Sequence, residues 1–236
     1  MNRLFTNEDC MDLMARYPDK HFDLALVDPP YGIGASKPSI KPNICRQKNG
    51  NMLNVKSNTH THKEWDNETP KTDYYAELVR VSKNQIIWGV PYINIIAKSG
   101  LIIWDKINGE SDQMDAEIAF NSFNKRVDIV RFMWSGMIQG VYCGKDINKA
   151  KLQQGNKKLN EKRIHPTQKP VALYKWLLKN YAKEGDLILD THVGSASSLI
   201  ACEEMGFDYV GCELDSDYFE MACKRIDTYR QQLKLF

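Results

Sequence analysis

None of the six cysteines (Cys10, Cys45, Cys143, Cys202, Cys212, Cys223) stands at Cys-x-x-Cys spacing from another, which argues against a zinc ribbon or a redox pair. No run of eighteen apolar residues and no apolar leader segment occurs, so neither a membrane span nor a secretory signal is expected. Histidine is scarce, and His60-Thr-His62 has no further His or Cys at a useful spacing, so no metal site is expected. Internal repeats and low-complexity tracts are also missing. The chain reads as a soluble protein of a reducing compartment with free thiols. Its 236 residues suffice for one sizeable core and fall short of two.

Net charge is also small, at +2, but it is unevenly spread. Residues 35–65 hold six basic side chains against one acid, and residues 145–163 hold seven against two. Each stretch therefore carries +5, leaving −8 on the rest of the chain. Both stretches are polar and loop-like, the distribution expected of loops that meet a phosphate backbone. Lys37, Lys41, Arg46 and Lys48 in the first, with Lys151, Lys157, Lys158 and Arg163 in the second, are the candidate DNA contacts. Asn49, Asn51, Gln153 and Gln154 are available to base edges.

The apolar run Leu24-Ala-Leu-Val27 reads as a buried strand, and it ends on Asp28-Pro29-Pro30-Tyr31. In an open α/β sheet, ligands bind beyond the carboxyl ends of the strands, so this tetrapeptide belongs on the rim of a crevice. The prolines supply no N–H and keep the backbone extended, which leaves nearby carbonyl oxygens free to accept. Asp28 adds an acceptor-only carboxylate, and Tyr31 adds a flat face for stacking. Together these suit the exocyclic amino group of a nucleobase.

Around that strand the pattern alternates. A short strand at Leu4 leads into a helix capped by Asp9, with Met11, Met14 and Tyr17 at helical spacing. Residues 32–70 read as a long mobile loop. A helix is expected over 72–83, strands over 85–89 and 100–105, a short helix over 91–98, a helix over 115–123 and a strand over 127–134. Such alternation predicts a parallel α/β sheet. His165-Pro-Thr167-Gln-Lys169-Pro170 opens another helix. Strand 186–190 then turns through Thr191-His-Val-Gly194-Ser195-Ala-Ser197-Ser198 into a helix. Small residues there admit a ligand close to the backbone. A further strand ends on Glu213, about twenty residues on, where a carboxylate can accept two ribose hydroxyls.

Asp-Pro-Pro-Tyr, His-Pro-Thr-Gln-Lys-Pro and the turn 190–198 with Glu213, in that order, resemble the β class of DNA amino-methyltransferases, phage-type adenine N6 methylases above all. The resemblance covers nearly the whole chain. It implies one Rossmann-like domain with circularly permuted motif order and inserted basic loops. The implied parts are a catalytic half (1–134), a target-recognition loop (135–164) and a cofactor-binding half (165–236). It assigns catalysis to Asp28, Pro29, Pro30 and Tyr31. Binding of S-adenosyl-L-methionine falls to Asp9, Asp28, His165, Thr167, Lys169, Asp190, Gly194, Ser195, Ser197 and Glu213. The strands ending at Asp28 and Asp190 are expected to lie side by side. Double-stranded DNA is the implied partner, with a second copy of the chain as a helper, in the cytoplasm of a prokaryotic or phage-infected cell. Thr191 and His192 replace the usual Pro-Phe, which removes an expected apolar wall. Cytosine N4 methylation and a non-catalytic DNA-binding role are the alternatives. A nicotinamide oxidoreductase would leave Asp28–Tyr31 and both basic loops without a task.

Overall fold

A computed structural model describes residues 2–35, 44–46, 52–54, 63, 65–93, 100–107, 114–135, 138–140 and 160–233. Among these residues eight strands form one sheet. In chain order they are β1 (Arg3–Asn7), β2 (Phe22–Val27), β5 (Ser82–Trp88), β6 (Gly100–Asp105), β7 (Ala116–Asn121), β8 (Val127–Arg131), β11 (Leu187–Asp190) and β12 (Asp208–Glu213). Two short antiparallel pairs stand apart: β3 (Ile44–Arg46) with β4 (Met52–Asn54), and β9 (Met133–Ser135) with β10 (Ile138–Gly140).

The spatial order is β1-β12-β11-β2-β5-β7-β6-β8. From β1 to β5 every pairing is parallel, and β2 meets β11 through Ile188↔Leu24 and Leu189↔Ala25. The strands ending at Asp28 and Asp190 are thus neighbours across 162 residues of sequence. β7 runs antiparallel to both β5 and β6. The sheet is mixed, and the expectation of a purely parallel sheet is corrected on this point.

The cause is the segment expected to be helical over 115–123, which is strand β7. Its Glu and Ala residues favour a helix in isolation. Packing between two strands outweighs that preference, because both its edges find backbone partners there. Ala119 and Asn121 are fully buried. Two smaller differences are matters of boundary. β5 begins at Ser82, directly after the second helix, and the start of the expected helix over 91–98 lies in a 3-10 turn at Val90–Tyr92, residues 94–98 falling outside the described residues.

Among the described residues five helices cover the sheet: α1 (Cys10–Ala15), α2 (Thr72–Val81), α3 (Val171–Tyr181), α4 (Ser197–Met205) and α5 (Ser216–Leu233). β2 shows why both faces need cover. Leu24 and Leu26 join a core with Leu173, Leu177 and Leu199 of α3 and α4, whereas Ala25 and Val27 pack with Leu13, Met14 and Leu78 of α1 and α2. Each such leucine contributes about 1.5–3 kcal/mol by leaving water. A charge at Leu24 would cancel that gain and split the larger core. The carboxyl ends of β2, β11 and β12 are left pointing at one crevice.

Candidate active site

The crevice is a cavity of about 400 Å³, within the range of small-ligand sites. Asp28, Pro29, Pro30 and Tyr31 line one end. Asp9, Gly194, Ser195, Ser197 and Glu213 line the other, and His165, Thr167 and Lys169 complete the lining. Segments far apart in sequence therefore meet in one space. Asp190 is the exception among the residues singled out. It lies behind the wall, where its carboxylate accepts the His192 N–H at 3.0 Å and the Ser198 hydroxyl at 2.5 Å. Burial raises its carboxyl to about 7, against the pull of those two bonds.

At the β12 end, backbone groups do most of the holding. Glu213 accepts the N–H of Gly194 at 2.8 Å and that of Asp215 at 3.0 Å, one on each carboxylate oxygen. The second lone pair of each oxygen stays available to hydroxyls. Gly194 takes φ +53° and faces the His165 ring across the opening. Asp9 caps α1 by accepting the Met11 N–H at 2.7 Å while lining the cavity. His192 restores the wall that a phenylalanine would give. Its ring packs edge-on to Tyr74 with centroids 5.2 Å apart, and its Nδ1 lies 3.0 Å from the Thr191 hydroxyl. Burial lowers its pKa to about 4, so at pH 7 it is a neutral plate.

At the β2 end, side chains hold side chains. The Tyr31 hydroxyl donates to Asp28 Oδ1 at 2.6 Å, and Lys169 Nζ donates to Asp28 Oδ2 at 2.5 Å. Lys169, read from sequence as a cofactor contact, is therefore a buried counter-ion of the motif carboxylate. Burial pushes the Asp28 carboxyl above its usual range; Lys169 pulls it back and Glu117 pushes it further up. Tyr31 rests over Gly89, whose φ is +87°, and a Cβ there would come within 2.2 Å of the ring. Its ring also stacks on Tyr92, with centroids at 5.2 Å and planes 15° apart.

The sequence reading overlooked Asp66. It is buried, and its carboxylate accepts the backbone N–H groups of Tyr31 at 2.7 Å, Gly32 at 2.9 Å and Ala35 at 2.7 Å. The preceding Trp65 packs on His165, and Lys63 pairs with Asp215 at 2.5 Å. The far end of the expected loop 32–70 thus fastens the motif from outside. A Trp-Asp pair in an otherwise basic stretch was the available signal. Glu117 was also missed, because reading 115–123 as a helix gave it no place beside β5.

Of the candidate DNA contacts, Lys37, Lys41, Lys48, Lys151, Lys157 and Lys158 lie outside the described residues, as do Asn49, Asn51, Gln153 and Gln154. Arg46 is described in its backbone alone, within β3. Arg163 lies over the Trp134 ring at 4.7 Å and donates to the Trp134 carbonyl at 3.3 Å. Among the described residues no helix is long and apolar enough to cross a membrane.

An open sheet with a crevice at its carboxyl ends and an antiparallel strand next to β5 fits the Rossmann-like methyltransferase class. The M1.HpyAVI–SAM complex shares this fold at a TM-score of 0.51 and 19% identity, over 94% of this chain and 98% of that one. A DNA methylase family model matches residues 53–224, and the chain belongs to that family. Type II methyltransferase M.HpaI of Haemophilus parainfluenzae is 25% identical over 89% of this chain and 69% of its own length. DNA adenine methyltransferase YhdJ of Escherichia coli K12 is 35% identical over a shorter stretch, 29% of this chain and 24% of that protein.

Proposed function

We propose that this chain transfers a methyl group from S-adenosyl-L-methionine to N6 of adenine in double-stranded DNA, at a specific sequence. The observation that carries the reading is the single cavity shared by the Asp28–Tyr31 motif and the Gly194–Glu213 unit. Its lining suits the cofactor. Glu8, Asp9, Asp28, Asp66, Glu213 and Asp215 are acidic against Lys169 alone, which favours a ligand carrying a sulfonium and an ammonium. Glu213 would hold the ribose hydroxyls, His192 and Asp9 would flank the adenine, and Ser195, Ser197, Thr167 and His165 would hold the methionine end. When bound there, the cofactor supplies an electrophilic methyl group.

The rest of the chemistry belongs to the chain. An amino group on an aromatic ring is a poor nucleophile, because its lone pair is delocalised. Asp28 and the Pro29 carbonyl accept its two hydrogens and draw the nitrogen toward a pyramidal shape, and Tyr31 supports the flipped base. As the new N–C bond forms, N6 sheds a proton. Asp28 is the carboxylate placed to take it, and burial has already raised its affinity for one. No covalent enzyme intermediate is required.

Adenine is favoured over cytosine because the motif begins with Asp and because YhdJ, a relative over part of the chain, is an adenine enzyme. The short recognition region further suggests that two copies act together on DNA. Single-molecule sequencing of DNA from a methylation-free host expressing the chain, beside Asp28→Ala, tests the proposal. One motif modified at N6 of adenine, with Asp28→Ala reducing transfer by several orders of magnitude, is the expected result. N4-methylcytosine would overturn the base assignment. An unmodified genome in cells holding folded protein would overturn the reaction itself.

A further inference from the structure

Beside Asp28 lies a cluster of buried charge that the chemistry above leaves unused. Glu117 of β7 accepts from Lys106 at 2.5 Å on one oxygen and from Lys169 at 3.0 Å on the other. The second oxygen also stands 3.4 Å from the Tyr31 hydroxyl, which itself lies 3.1 Å from Lys169 Nζ. The two donors that cap Asp28 therefore face a second carboxylate at the same time. With two lysines and two acids the cluster is neutral overall. Burial opposes the charge on Glu117, yet Lys169 and Lys106 hold its carboxyl down at about 2, so it stays ionised at working pH.

Both oxygens of Asp28 are engaged in this arrangement, one by Tyr31 and one by Lys169. Each oxygen keeps one lone pair, but an incoming amino group has to share the carboxylate with the Lys169 ammonium, whose charge competes for it. Drawing a buried ammonium off its only partner would leave an uncompensated charge, which is strongly unfavourable. Glu117 removes that obstacle, since Lys169 can give up Asp28 without losing an anion. We infer that Glu117 is a positioning residue that takes over Lys169 and the Tyr31 hydroxyl when an amino donor engages Asp28. The inference rests on the methyltransferase reading for the identity of that donor.

Glu117→Gln keeps the shape and removes the charge, so Lys169 locks onto Asp28. The expected result is a fall in kcat of roughly 10- to 100-fold, the scale of a mispositioned catalytic group, with cofactor Kd close to wild type and Tm lowered by the excess positive charge left buried. Adding Lys169→Met to that variant removes the lock and should recover at least part of the rate. A merely structural role predicts a further loss instead. Glu117→Gln with unchanged kcat, or a double variant slower than the single one, overturns the proposal.

A second readout does not depend on turnover. In protein labelled with ¹⁵N-lysine, the Lys169 ammonium signal is identified by its loss in Lys169→Met. It should shift when the duplex carrying the sequenced motif is added without cofactor, and remain fixed in Glu117→Gln. A signal that duplex leaves unmoved in the wild type overturns the hand-over. A wild-type protein that methylates no DNA defeats the methyltransferase reading, and the Glu117 contact is then judged by whether Glu117→Gln alone moves the Lys169 signal; identical signals overturn it.

Discussion

The two ends of the crevice are built from different bonds. At the β12 end, Glu213 and Asp190 grip the backbone N–H groups of Gly194, Asp215 and His192. At the β2 end, Asp28, Tyr31, Lys169 and Glu117 grip one another through side chains. Bonds to backbone fix a shape that exists before any ligand arrives, and they leave lone pairs over. Bonds among side chains set a hydroxyl and an ammonium on the carboxylate that the substrate must reach, so that end has to exchange partners. One end is a preformed socket and the other is a set of interchangeable contacts.

Substitutions at the motif's support should break this contrast most forcefully. Asp66→Ala strands three backbone N–H groups behind Tyr31, at about 1–3 kcal/mol each where they stay dry. We expect kcat to fall about 100-fold while calorimetric cofactor affinity stays within about three-fold. An equal loss of cofactor affinity would show that Trp65, resting on His165, ties the two ends into one unit. Glu213→Ala should act in the opposite sense, weakening cofactor binding by roughly 10- to 100-fold through lost charge-assisted bonds, with kcat at saturation little changed. A collapse of kcat there would mean that the socket also shapes the motif.

Gly89→Ala is expected to be milder, because the variant keeps every charged group. A Cβ within 2.2 Å of the Tyr31 ring, at φ +87°, should displace the ring and cost about 1–3 kcal/mol of stability, read by thermal melts. His192→Phe should have the smallest effect at neutral pH. The folded protein holds His192 near 4, below its unfolded value of 6.5. Its contribution to stability is thus complete above pH 6.5 and is lost as pH falls toward 4, by an order of 2–3 kcal/mol. His192→Phe lacks this term, so its melting temperature should drop less than the wild type's between pH 7 and 5. Parallel pH curves would show that the ring is already hydrated.

What the sequence disclosed follows the same division. Asp28–Tyr31, the 190–198 turn and Glu213 are compact runs in which local chemistry implies a task, and all of them except Asp190, Ala196 and Ser198 line the cavity. Asp66 acts over 31–35 residues of separation, and Glu117 lies 52 residues before the Lys169 it holds. No local pattern encodes such distances. The helix expected over 115–123 failed for a related reason, since the partners that make it a strand are β5 and β6. Lys169 could be seen as a site residue, but its attachment to Asp28 required the fold.

The order β1-β12-β11-β2 also bears on how the chain is made. β1 and β2, made in succession, are not neighbours: the space between them is filled by strands ending at Asp190 and Glu213. Until those residues emerge, β1 and β2 each present an unpaired edge toward the gap. The central sheet cannot close before β11 and β12 are made, and its closing contacts span more than 160 residues. Slow closure is the kinetic consequence, with the nascent chain open to misassociation until residues 187–213 appear.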